Sequence, residues 1–89
     1  MIRRTSHFSG NVQGVGFRYT AQGLARGFKV VGYVRNLPDG RVQLVSEGDE
    51  QEVAGLLEAI AQQMGHFIKR RSDEDSPPTG EFSGFSIHR

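Results

Sequence analysis

In the segment Gly10-Asn11-Val12-Gln13-Gly14-Val15-Gly16-Phe17-Arg18, two glycines stand just ahead of an arginine. Here the chain passes from an alternating pattern to a helical one. A helix start leaves main-chain N–H groups without intrahelical partners and carries partial positive charge, so a glycine-rich turn there can wrap a phosphate in amide donors. Glycine at 14 and 16 permits positive φ and close approach of an anion. Arg18 falls in the first helical turn, where a cation has the wrong sign for the dipole and costs about 0.3–1 kcal/mol unless an anion offsets it. The segment is therefore read as an anion-binding loop between a strand and a helix, with Arg18 holding a small phosphate group. A tight turn with the arginine pointing into water would use the same residues, so spacing alone does not separate the two.

Nucleotide binding is disfavoured. No Gly-Lys-Ser or Gly-Lys-Thr follows the loop, and Tyr19 occupies the place of the third glycine of a dinucleotide fingerprint. Asn36 closes a second strand expected to neighbour the first, and its amide offers both a donor and an acceptor for orienting a water. On residue type alone the better account of Asn36 is a turn asparagine bonding its own backbone. His7, His66 and His88 lack metal-ligand spacing, Asp73-Glu74-Asp75 reads as a solvated loop, and the acids beside Lys69-Arg70-Arg71 nearly cancel it.

The elements that must position these groups follow from periodicity. Ser6, Phe8, Gly10 and Val12 share one face of a period-two pattern and predict a strand over Ser6 to Val12. Phe17, Ala21, Leu24, Ala25 and Phe28 recur at helical spacing, predicting a helix that ends near Gly27. Val30 to Val34 and Arg41 to Glu47 read as a hairpin joined by Leu37-Pro38-Asp39-Gly40, which has Pro and Gly where a type I turn takes them. Asp49 with Glu52 resembles a capping box, and Val53, Leu56, Leu57, Ile60 and Met64 form the stripe of a second helix ending near Gly65. Phe67 and Ile68 open a further strand, Ser76 to Gly80 is a loop, and Phe85 with Ile87 marks a closing strand. The order β-α-β-β-α-β predicts an α+β, ferredoxin-like split βαβ sandwich: an antiparallel sheet with two helices on one face. Many unrelated activities use that architecture.

Composition narrows the classes. A chain of 89 residues suits one domain, 1–89. With no cysteine, disulfides, thiolate metal sites and cysteine-nucleophile chemistry fall away together, which fits the cytoplasm. The N-terminus has basic residues but no apolar run after them, and nothing approaches membrane-spanning length. Eleven Lys and Arg against ten Asp and Glu leave a formal charge of +1, too small a field to gather nucleic acid or a membrane, so any anion must be captured locally. No long apolar stripe is left over, and a monomer is expected. An RNA-binding domain would need several stacking aromatics on the central strands, where Tyr33 stands alone.

Gly10-x-Val12-Gln13-Gly14-Val15-x-Phe17-Arg18 and Gly32-Tyr33-Val34-Arg35-Asn36, followed by Gly40-x-Val42 and Gly48, resemble the two signature segments of acylphosphatases. The resemblance runs through most of the first half, in order and at family spacing. It implies hydrolysis of the carboxyl-phosphate bond of small acyl phosphates to a carboxylate and inorganic phosphate, with no cofactor or metal. By resemblance, the amides of Gln13, Gly14, Val15, Gly16 and Phe17 bind phosphate with Arg18, Asn36 positions the attacking water, and the substrate phosphate accepts its proton. An acyl phosphate is an activated anhydride, so positioning and charge neutralisation weigh more than acid or base assistance. A guanidinium fork matches two phosphate oxygens where a lysine is a point charge. Phe8 stands where the family usually has a smaller aliphatic residue, and Phe67 to Asp75 is more polar than its usual fourth strand, leaving open a full edge strand there. A non-catalytic anion-binding module that keeps the loop is the alternative.

Overall fold

The computed structural model describes every residue from Met1 to Arg89. Strand β1 runs Ile2–Gly10, beginning before Ser6 and ending before Val12. Two arginines hide its start in the sequence, and both are neutralised where they stand. Arg3 donates to Glu81 at 2.7 Å, and Arg4 makes a two-pronged bond to Asp75 at 2.7 and 2.9 Å. The strand stops at Gly10 because the register shifts between Ser9 and Gly10, and Gly10 sits at φ 125°. A Cβ at Gly10 would lie 2.6 Å from the Phe67 carbonyl oxygen, so only glycine fits this crossing.

Helix α1 (Phe17–Ala25) ends earlier than expected. The N–H groups of Arg26, Gly27 and Phe28 bond three residues back to Gly23, Leu24 and Ala25, which tightens the last turn. Phe28 therefore leaves the helix, and its ring lies against Gly55 of α2 (Glu50–Met64). Strands β2 (Val30–Asn36) and β3 (Val42–Gly48) form the expected hairpin.

The capping box at the start of α2 is not made, since Asp49 caps the helix without a side-chain hydrogen bond. Its carboxylate faces the N-terminal ammonium at 3.9 Å, and Glu52 instead accepts the Lys29 N–H at 2.8 Å, tying the α1–β2 turn to α2. A 3₁₀ turn over Gly65–Phe67 leads into β4 (Ile68–Ser76), a full edge strand despite its charges.

The sheet order is β4-β1-β3-β2-β5, with β5 at Phe85–His88. Each neighbouring pair among the first four strands is antiparallel as expected, but β3 and not β2 lies beside β1, and β5 lies parallel to β2 and makes the sheet mixed. The reason is connectivity: β4 and β5 occupy opposite edges, so residues 77–84 must cross the sheet. They cross the face away from the helices, held by the Glu47 carboxylate. Its two oxygens accept the Thr79 N–H and hydroxyl and the Gly80 N–H at 2.8 to 3.0 Å.

Both helices pack on the other face. Phe8, Val34, Val42 and Leu44 from the sheet meet Phe17, Ala21, Leu56 and Ile60 in one cluster of 14 buried residues. Phe8 is fully buried with its ring 5.0 Å from that of Phe17. That contact fixes the start of α1 over the end of β1.

Candidate active site

The loop between β1 and α1 is pinned at three places. Asn11 donates its N–H to the Phe67 carbonyl at 2.9 Å, and Val12 is sunk into the core. The Gln13 side-chain amide donates to both Leu37 and Arg41 carbonyl oxygens, at 2.9 and 3.0 Å, stapling the loop across the neck of the β2–β3 hairpin. Between and beyond these anchors, Gly14 and Gly16 adopt φ of 77° and 79°, the left-handed region. No atom lies within 4 Å of a Cβ built on either, so glycine is demanded by backbone conformation and not by crowding.

This path leaves donors free. None of the main-chain N–H groups of Gln13, Gly14, Val15 and Gly16, nor those opening α1, hydrogen-bonds within the chain, and the first intrahelical bond is Thr20 N–H to the Gly16 carbonyl at 3.0 Å. Gly16 caps α1 with no side-chain hydrogen bond, and the first turn contains no acid. Arg18 forms no ion pair or side-chain hydrogen bond in the fold. Free amides, the helix dipole and an unpaired guanidinium thus add with the same sign.

Asn36 ends β2 on the helix-facing side of the sheet, paired with Val42. Its side chain does not bond its own backbone. Asp39 does that work in the turn: its carboxylate accepts the Arg41 N–H at 3.0 Å and the Arg41 Nε–H at 2.8 Å, and these bonds hold its pKa below the usual carboxylate range. The turn account of Asn36 is therefore set aside.

A cleft of about 80 Å³ brings Gly14, Gly16, Phe17, Arg18 and Asn36 together, with Val12 and Tyr19 completing its wall. That is small beside the roughly 300–1,000 Å³ of a cavity that buries a drug-sized ligand. It suits a compact anion with a water. The side chains of Gln13 and Val15 do not line it: Gln13 turns to the hairpin, and Val15 packs against the core. A wider cavity of about 570 Å³ adjoins it, sharing Arg18 and Tyr19 and bounded beyond them by Ile87 and Arg89 of the C-terminal segment. Sequence reasoning missed Tyr19, Ile87 and Arg89, for only the parallel placement of β5 carries the last two beside α1. It also missed the staple made by the Gln13 side chain, whose one sequence signal is its place in the loop motif.

The sequence model of the acylphosphatase family matches residues 5–87. The chain belongs to the acylphosphatase family. An acylphosphatase of Acaryochloris marina is 43% identical over 81 residues, covering 91% of this chain and 87% of the relative. One of a Roseiflexus species is 42% identical over 88 residues, covering 98% and 95%. The crystal structure of acylphosphatase from Bacillus subtilis superposes with a TM-score of 0.92 at 33% identity, covering all of both chains. This acylphosphatase is accordingly an enzyme that hydrolyses acyl phosphates, which decides against the non-catalytic binding module that the loop alone left open. No helix in it is long and apolar enough to cross a membrane.

Proposed function

We propose that Arg18 and the amides of the 13–17 loop bind the phosphoryl group of a small acyl phosphate, while Asn36 orients the attacking water. The observation that carries this reading is that an unpaired guanidinium, free main-chain donors and an unbonded asparagine amide face one cleft. The water oxygen forms a bond to phosphorus as the bond between phosphorus and the acyl oxygen breaks. The electron pair leaves on the carboxylate, and the water proton passes to a phosphate oxygen. Two guanidinium N–H groups and the helix-end amides meet the charge spread over the equatorial oxygens.

No carboxylate or imidazole lines the cleft, in keeping with a substrate that accepts the proton itself and a reaction needing no metal. The acyl group extends over Tyr19 and Ile87 in the adjoining cavity, which accepts more than one acyl shape. The substrate is a small molecule, and a formal charge of +1 gives little field to gather nucleic acid. With no cysteine to oxidise, the enzyme suits the cytoplasm.

The test is release of phosphate from acetyl phosphate by the purified chain with a chelator present, repeated with Arg18→Gln and Asn36→Ala. Arg18→Gln should lose both phosphate affinity and turnover. Asn36→Ala should lose turnover with inhibition by inorganic phosphate little changed. Wild-type rates in both variants would sink these assignments, and restoration of activity only by added metal would sink the metal-free mechanism.

A further inference from the structure

The sheet ends at β4, whose only partner is β1, so the outer row of N–H and C=O groups along Ile68–Ser76 is unpaired. Such an edge is a template for another strand. Its order is Lys69-Arg70-Arg71-Ser72-Asp73-Glu74-Asp75: three cations, a serine, three acids. A two-fold axis through Ser72 maps this order onto its opposite. An antiparallel second copy with Ser72 facing Ser72 sets Lys69 across from Asp75, Arg70 across from Glu74 and Arg71 across from Asp73, each pair on one face and each formed twice. A slip of two residues brings either Arg71 against Arg71 or Asp73 against Asp73, and in-register parallel pairing stacks like charges throughout.

We propose that β4 is a self-association edge through which two copies of this chain join antiparallel about Ser72 into one continuous sheet. Every residue from Lys69 to Ser76 is exposed, and no side-chain bond within the chain engages Lys69, Arg70 or Glu74. Asp75 and Asp73 are already shared, with Arg4 at 2.7 Å and with Arg71 at 3.3 Å, so the Arg70–Glu74 pairs carry the new selectivity. Main-chain hydrogen bonds supply the attraction, as in strand addition generally, while the ion pairs choose orientation and register. Ile68 is the one apolar residue on the strand, so the dimer is weak, concentration-dependent and salt-sensitive. This is consistent with the lack of a spare apolar stripe, which argues against a tight dimer and not against this one. None of Arg70, Ser72 and Glu74 lines the phosphate cleft.

The experiment is sedimentation equilibrium of the full chain from about 10 µM to about 1 mM, at about 20 mM and about 500 mM salt, a range that spans weak to strong screening. The wild type should dimerise at low salt, with affinity at least about tenfold lower at high salt. Arg70→Glu and Glu74→Arg should each be monomeric alone. Mixed in equal amounts they should associate, and the double variant carrying both changes should recover the homodimer. Acyl phosphate turnover should match wild type in every variant, which verifies the fold. A wild type that stays monomeric throughout, its charged edge serving only to repel partners, would overturn the proposal. So would a dimer that Arg70→Glu leaves intact, or single variants that fail to associate when mixed.

Discussion

Replacing Gln13 separates positioning from binding. Its amide makes two donor bonds, 2.9 Å to the Leu37 carbonyl and 3.0 Å to the Arg41 carbonyl, and these join the 13–17 loop to the hairpin that carries Asn36. Each is exposed, so its net worth lies near the lower part of the usual 0.5–1.5 kcal/mol, and Gln13→Ala should cost about 1–2 kcal/mol in all. At roughly 4–8 °C per kcal/mol for a domain of this size, the melting temperature should fall by about 4–16 °C. The kinetic loss should be larger than that suggests. A water displaced by about 1 Å from its attack position costs on the order of 10²-fold, so kcat on acetyl phosphate should drop about 10- to 100-fold. Inhibition by inorganic phosphate should weaken less, because Arg18 and the loop amides remain. Gln13→Glu sharpens the test. It keeps the shape but aims a carboxylate at two carbonyl oxygens, so at neutral pH it should be worse than alanine, recovering partly when acid restores one donor. Phosphate-release kinetics and thermal melts on the three proteins decide the matter. A kcat for Gln13→Ala within twofold of wild type, or a Gln13→Glu variant as active as wild type, would refute the staple as the link between loop and hairpin.

Arg18→Gln should abolish turnover yet raise the melting temperature by about 1–8 °C in phosphate-free buffer, because it removes an unfavourable cation worth about 0.3–1 kcal/mol from the start of α1. Added phosphate should stabilise the wild type and not the variant, and an equal shift in both would contradict phosphate binding by Arg18. Gly16→Ala should cost about 1–2 kcal/mol from its left-handed φ of 79° alone, since nothing crowds a Cβ there, and urea unfolding should show an earlier midpoint with an unchanged slope. Burial pushes the Glu47 carboxyl up, but the Thr79 and Gly80 N–H groups, the Thr79 hydroxyl and Arg3 outweigh it and hold its pKa below the ordinary range. A depressed carboxylate stabilises the fold above its unfolded-state pKa and loses that stabilisation as pH falls through the folded value, so stability should decline below about pH 4. Glu47→Gln should flatten that acid limb and lower stability at pH 7 by about 1–3 kcal/mol, measured by melts across pH; a variant with an unaltered acid limb would exclude Glu47 as its source.

Much of the fold was legible because local patterns agreed with the tertiary arrangement. The stripe Val53, Leu56, Leu57, Ile60 and Met64 predicted α2, and all five residues are buried. Leu37-Pro38-Asp39-Gly40 predicted the turn, which closes with Gly40 N–H to the Leu37 carbonyl at 3.1 Å. Local reading failed where distant residues set the outcome. Arg3 and Arg4 do not look like a strand until Glu81 and Asp75 arrive to pair them. Phe28 fits a helical period until Gly55 offers its ring a seat, and Asp49 with Glu52 fit a capping box until Lys29 claims the second acid.

Glycines at 14 and 16, an arginine in the first turn of a helix and an asparagine at a strand end are legible in the sequence, and they mark a candidate anion loop and a candidate polar partner for it. Whether the partner comes near the loop is not a local matter. That was decided by the neighbouring of β1, β3 and β2, by Phe8 packing on Phe17, and by the Gln13 amide bridging to Leu37 and Arg41. Likewise the wall formed by Ile87 and Arg89 exists only because residues 77–84 cross the sheet and deliver β5 parallel to β2. Periodicity and turn chemistry act between residues a few positions apart, whereas a cleft depends on contacts between residues far apart in the chain, which only the packed structure supplies.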